Sequence, residues 1–141
     1  MKRAVLSNVE VGCNPVRWAL SQGGSRAYVT TSKDNASVIF DTLFLTLSKT
    51  QTVARVPVGT APVPVAVVDE NLLLVGNSNR FVEGSKSEAI TVVDPSAAKV
   101  TGTFTVGPFP RNIVVSSDGR TVYIANFGSN SISVLDAGAI R

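Results

Sequence analysis

The sequence predicts an all-β protein assembled from about three repeats of a four-stranded antiparallel unit, and three observations carry that reading. Short runs alternate apolar and polar residues with period two and are rich in Val, Ile and Thr, while no stretch sustains a 3.6-residue period. A Gly-x-x-Pro tetrad occurs three times, pairing Gly12 with Pro15, Gly59 with Pro62 and Gly107 with Pro110, at spacings of 47 and 48 residues. Apolar residues make up 44% of the 141 and charged residues 16%, enough for the core of one domain and too little charge for a disordered chain.

Each element can be justified in chain order. Residues 4–11 alternate and end on a glycine, as 53–58 and 100–106 do, so 4–11 is expected to be an orphan outer strand. After each Gly-x-x-Pro comes an inner strand, closed by a tight turn: Gln22-Gly23-Gly24-Ser25 in the first repeat, the shorter Asp69-Glu70-Asn71 in the second, Ser117-Asp118-Gly119-Arg120 in the third. The next strands are Tyr28-Val29-Thr30, Leu74-Val75-Gly76-Asn77 and Tyr123-Ile124-Ala125-Asn126, and each is followed by a run ending in aspartate, at Asp41, Asp94 and Asp136. The repeats fall at about 12–58, 59–106 and 107–141; with insertions near 42–50 and 77–88 removed, the bare unit is 42 residues of four strands, the size of a propeller blade.

The pattern Val-Gly-x-x-Pro, Ser-x-Asp-Gly-x-x-Val-Tyr-Ile-Ala-Asn, Gly-Ser-Asn-Ser-Ile-Ser-Val-Leu-Asp of residues 106–136 resembles the YVTN β-propeller repeats of surface-layer and other exported proteins. The first repeat keeps Tyr28-Val29-Thr30 but has Thr31 at the usual asparagine; the second has Leu74 for the tyrosine and Gly76 for the threonine. The resemblance implies a ring of seven blades in one chain and a periplasmic or cell-surface home, whereas twelve strands suffice for three blades. Two closures are expected: two chains joining into a six-bladed ring, or blades supplied by a larger propeller of which this is a piece.

Composition narrows the chemistry. Without histidine the chain has no Ser-His-Asp or Cys-His arrangement and no His-ligated metal or haem; Cys13 is alone. The net charge of +3 contains no block of like charges, so no nucleic-acid stripe is expected, and no apolar run is long enough to span a bilayer. Residues 4–11, interrupted by Ser7, Asn8 and Glu10, do not read as a signal peptide. No cofactor or metal site is expected.

Aspartates that recur in every repeat read as structural, so sites are sought where the repeats differ. Two residues after the proline, at a position that in the family's geometry faces the central channel, stand Arg17, Pro64 and Asn112, with Val16, Val63 and Arg111 beside them. Arg17, Arg111 and Asn112 are therefore the candidates for binding a small anionic ligand or a partner loop. The second insertion offers Asn79, Arg80 and Phe81 as a partner-binding loop. The first, with Leu43, Phe44, Leu45 and Leu47, either extends a strand or docks on another subunit. Trp18, at the position of Val65 and Ile113, is expected in the core. The function expected is a non-catalytic binding or interaction scaffold. The alternatives are part of a propeller enzyme, lactonase-like or a quinone- or metal-dependent oxidoreductase, and a structural surface-layer subunit.

Overall fold

The computed structural model describes residues 4–43, 52–79 and 89–141. They form two four-stranded antiparallel sheets and one of three strands, each a meander in chain order. The first blade comprises β1 (Pro15–Leu20), β2 (Arg26–Thr31), β3 (Ala36–Asp41) and β4 (Thr52–Pro57). The second comprises β5 (Pro62–Asp69), β6 (Leu72–Asn77), β7 (Ala89–Asp94) and β8 (Lys99–Thr105). The third has β9 (Pro110–Val115), β10 (Thr121–Asn126) and β11 (Ser131–Asp136), then a short 3-10 turn over Ala137–Ile140. The repeat is thus reproduced in space, with the last blade one strand short.

Strand alternation gives every blade two apolar faces, and the middle blade uses both. Toward the first blade it turns Val65, Leu73, Val75 and Val93, which pack on Tyr28, Ile39 and Val56. Toward the third it turns Ala66, Leu72, Leu74, Ile90 and Val92, which pack on Ile113, Val122 and Ile124. Each blade therefore has a leading face, toward the preceding repeat, and a trailing face, toward the next. β5 packs against both β1 and β9, so the three strands that open with proline form the inner row.

That frame explains two departures from expectation. Trp18 belongs to a leading face, like Val65 and Ile113, but among the described residues no blade stands before the first. It is 67% exposed where its two equivalents are buried. Residues 4–11 form no strand. Val9 and Val11 instead pack on Ala27, Val29, Val38 and Phe40 of the first blade's leading face. At the other end, Val114, Tyr123, Ile132 and Val134 of the third blade's trailing face are exposed. Their repeat equivalents in the second blade, Ala66, Leu74, Ile90 and Val92, are buried.

The aspartates that end the strands are turn devices, as their recurrence implies. Asp41 Oδ1 accepts the N–H of Leu43, Asp69 Oδ1 that of Asn71, Asp94 Oδ1 those of Ser96 and Ala97, and Asp136 Oδ1 that of Gly138. A short side chain that satisfies the backbone two residues on replaces a ladder bond where the strand must stop.

Candidate functional site

The candidate site lies where the Gly-x-x-Pro loops feed the inner strands. Proline lacks the N–H a ladder needs, so each inner strand opens with a break in register, between Pro15 and Arg17, between Pro62 and Val65, and opposite Asn126 beside Pro110. The residue before each proline, Asn14, Ala61 or Phe109, is held in the left-handed region at φ 53, 48 and 53. Gly59 and Gly107 answer a different demand. A Cβ on Gly59 would stand 2.5 Å from Asn77 Cγ, and one on Gly107 2.8 Å from Asn126 Cβ.

Those asparagines lie against the loops and tie the ends of β6 and β10 to the next strand of their blades. Asn77 Nδ2 donates to Ala89 O at 3.0 Å and Thr91 Oγ1 at 2.8 Å; Asn126 Nδ2 donates to Ser131 Oγ at 3.2 Å and Ser133 Oγ at 2.9 Å. In the first repeat Thr31 Oγ1 donates to Ala36 O instead, so the threonine does part of the asparagine's work. The loop around Gly12 gains a compensating clamp: Asp34 Oδ2 accepts from Cys13 N at 2.8 Å and Arg55 Nη1 at 3.0 Å. The Cys13 N–H, and then the Arg55 guanidinium, hold the Asp34 carboxyl below the usual carboxylate range.

Arg17 is exposed on β1, its Nη1 donating to Val16 O at 3.0 Å. Arg111 and Asn112 are exposed on β9, with the Arg111 guanidinium 5.6 Å from the centroid of the Phe127 ring. Between them the middle blade contributes only Val63 and Pro64, both buried. The cationic groups thus stand on the first and third inner strands, on either side of an apolar centre. Asn79 joins the same rim, its N–H donating to Thr60 O at 3.1 Å beside the Gly59 loop. Arg80 and Phe81 lie outside the described residues, as do Phe44, Leu45 and Leu47; Leu43 is exposed.

Two contributors escape a reading by sequence. Thr30 is fully buried, and its hydroxyl lies 2.9 Å from Val63 O and 3.2 Å from Arg17 O, stitching β1 to β5 beneath Arg17. At the same repeat position Gly76 leaves room for Pro64, whose Cγ would lie 2.5 Å from a Cβ there. The tetrad marks this row of loops, but neither seam is visible in it, because each contact crosses between blades. Asn35, which heads an Asn-x-Ser sequence, spends its Oδ1 on the N–H of Ala61.

Clefts also lie at the opposite strand ends. One of about 460 Å³ is lined by residues including Asp69, Leu72, Val92, Asp94, Ile140 and Arg141. Its acids are engaged: Asp94 in its turn, Asp69 in its turn and in an ion pair with Arg141. Among the described residues no three Asp, Glu or Cys side chains gather where a metal ion could be held, and no helix is long and apolar enough to cross a membrane.

No family model matches the chain, and no curated protein does. Solved structures do. The chain is similar over 93% of its length to 35% of hydrazine synthase from Kuenenia stuttgartiensis, with a TM-score of 0.75 and 27% identity. It is similar over 91% of its length to 36% of a putative 6-phosphogluconolactonase from Bacteroides fragilis, with a TM-score of 0.75 and 16% identity. A putative 6-phosphogluconolactonase from Bacteroides uniformis aligns over 37% of its chain, with a TM-score of 0.70 and 19% identity. The last two likenesses are of fold alone. The neighbours have propeller-type folds, and the protein is accordingly an all-β protein of antiparallel propeller-type blades. It spans about a third of the length of these structures.

Proposed function

We propose that the chain is a propeller-type binding scaffold without catalysis of its own. Arg17, Arg111 and Asn112 present donors to a small anionic ligand or an acidic partner loop at the mouth of the inner strands. The observation that supports this is the contrast within one repeat position: Pro64 is buried, while Arg17 and Asn112 are exposed beside register breaks that turn side chains out of the regular ladder. Guanidinium groups suit carboxylates and phosphates, which they bind in pairs of hydrogen bonds. The test is calorimetric titration with inorganic phosphate and with a phosphorylated sugar acid. Binding that weakens at least tenfold in Arg17→Ala and Arg111→Ala upholds the reading; equal binding by both variants refutes it.

A second reading makes the chain part of a propeller enzyme, lactonase-like in kind. It draws support from the two neighbours titled putative 6-phosphogluconolactonases. Turnover of a phosphorylated sugar lactone by the purified chain, lost in Arg111→Ala, would favour that reading over the scaffold.

A further inference from the structure

We infer that the junction of the first two blades, at the strand ends remote from Arg17, binds a small zwitterion of the α-amino acid class. Arg26 and the Tyr28 hydroxyl would take its carboxylate and Glu70 its ammonium. A cleft of about 170 Å³ opens there, lined by Ser21, Ser25, Arg26 and Tyr28 of the first blade and by Glu70 and Ser96 of the second. The repeat is broken at this point. Arg26 and Tyr28 are the first and third residues of β2, where β6 has Leu72 and Leu74. Those leucines belong to the core of the next junction, so only the first junction carries polar groups at these positions.

The groups are held in place by the fold. Tyr28 is 2% exposed, its ring packed with Ile39, Val56 and Leu73, so the hydroxyl is the part that reaches the cleft. Arg26 Nη1 donates to Pro95 O at 3.2 Å, which pins the guanidinium across the junction and leaves its other N–H groups to a ligand. Pro95 sits in a turn that Asp94 Oδ1 fixes through the N–H groups of Ser96 and Ala97, and Glu70 in one that Asp69 Oδ1 fixes through Asn71 N. Ser21 Oγ accepts the Arg26 N–H at 3.0 Å, so its own proton is left to donate.

Two opposite charges act on the one hydroxyl. Burial, above all, pushes the Tyr28 phenol up; the Arg26 guanidinium pulls it down, and the Glu70 carboxylate pushes it up again. Yet Arg26 and Glu70 do not pair with each other: the ion pairs among the described residues are Arg55–Asp34 and Arg141–Asp69. Opposite charges that share a cleft without meeting suit a molecule that carries both signs close together, as an α-amino acid does on a single carbon. The guanidinium forks onto a carboxylate, with the Tyr28 and Ser21 hydroxyls as further donors. The ammonium has Glu70 as its counter-charge and Ser96 Oγ, which donates to Glu70 O at 3.4 Å, as a second acceptor. So small a cleft excludes a nucleotide or a disaccharide.

The experiment is an NMR titration of the full chain's backbone amides with glycine and L-serine, and with acetate and methylammonium, which carry the two charges separately. The expected result is saturable binding of both amino acids that shifts the amides of Arg26, Glu70 and Ser96, with acetate and methylammonium each weaker by about tenfold or more. Glu70→Gln, at an exposed turn position, weakens glycine by about tenfold with the remaining amides in place. Arg26→Lys, which keeps the charge and a donor for Pro95 O but loses the fork, weakens it as well. Arg17→Ala and Arg111→Ala leave it unchanged, which separates this cleft from the rim at the other strand ends. Any of four results overturns the inference: amides that neither amino acid shifts, acetate bound as tightly as glycine, binding indifferent to Glu70→Gln, or binding lost in Arg17→Ala.

Discussion

Gly59→Ala tests whether the Gly-x-x-Pro loops are fixed by close approach. Gly59 is not among the residues with positive φ, so alanine brings no backbone strain there. The penalty lies in contact: the new Cβ stands 2.5 Å from both Cγ and Nδ2 of buried Asn77. Carbon atoms rest at about 3.5 Å or more, so Asn77 must retreat by roughly 1 Å. That retreat breaks at least one of its bonds to Ala89 O at 3.0 Å and Thr91 Oγ1 at 2.8 Å. Overpacking costs about 1–3 kcal/mol and a lost hydrogen bond about 1 kcal/mol, less about 0.5 kcal/mol from a stiffer unfolded chain, for a net loss of about 1.5–3.5 kcal/mol. In a domain of this size that lowers Tm by roughly 5–12 °C. Gly102→Ala, where a Cβ meets nothing within 4 Å, is the control and stays within about 0.5 kcal/mol of wild type. Because Asn77→Ala removes the obstacle, the double variant is less destabilised than the sum of the singles by about 1 kcal/mol or more. A Gly59→Ala protein that melts with wild type, or strict additivity in the double, refutes the reasoning.

Thr30→Val leaves the carbonyl of Val63 without its donor at the β1–β5 seam; a loss of about 1–3 kcal/mol is expected by urea denaturation, with the fold intact. Asp34 and Asp118 have depressed folded pKa values, the first chiefly through the Cys13 N–H and the second through the Ser116 hydroxyl. Their contribution is therefore complete above the ordinary value of 3.8 and is lost as pH falls through the folded values. Asp34→Asn should flatten the acid limb of Tm against pH between about 5 and 2. Burial raises the Tyr28 phenol, so the fold favours the neutral form; stability drops as pH climbs past 10.0, and Tyr28→Phe removes that part of the alkaline limb.

Strand positions were legible because alternation and turn chemistry act within a few residues. The aspartates at 41, 94 and 136 declared themselves structural by recurring, and each caps its own turn. Burial was less legible, since it depends on what stands opposite. Trp18 has the pattern of a core residue and the surroundings of a surface one, because among the described residues no blade face stands opposite it. Residues 4–11 have a strand's alternation yet form no strand. The exposed donors at 17, 111 and 112 were visible as breaks in the repeat. Thr30 and the Asp34–Arg55 clamp were not, because each joins groups 21 or more residues apart through contacts that no local pattern encodes.

The two inner seams differ in kind, and the difference bears on where a ligand would sit. At the β5–β9 seam Pro64 fills the space that Gly76 leaves, and Pro110 closes in on the same glycine. That seam is closed by two proline rings packed against the glycine. At the β1–β5 seam a threonine replaces the glycine and an arginine the proline. Its hydroxyl accepts from Arg17 N and has Val63 O, at 2.9 Å, as the nearer acceptor for its one proton. Buried hydroxyls mostly find a hydrogen-bond partner, and that of Thr30 finds its partners in the backbone of Arg17 and Val63, so Arg17 and Thr30 form one arrangement. The backbone beneath Arg17 is thereby held in place while its guanidinium stays exposed, which is the preorganisation a binding cation requires. If Arg17 binds an anion as proposed, Thr30→Gly should weaken that binding although Thr30 is fully buried, whereas Gly76→Ser, crowded by Pro64, should chiefly damage stability.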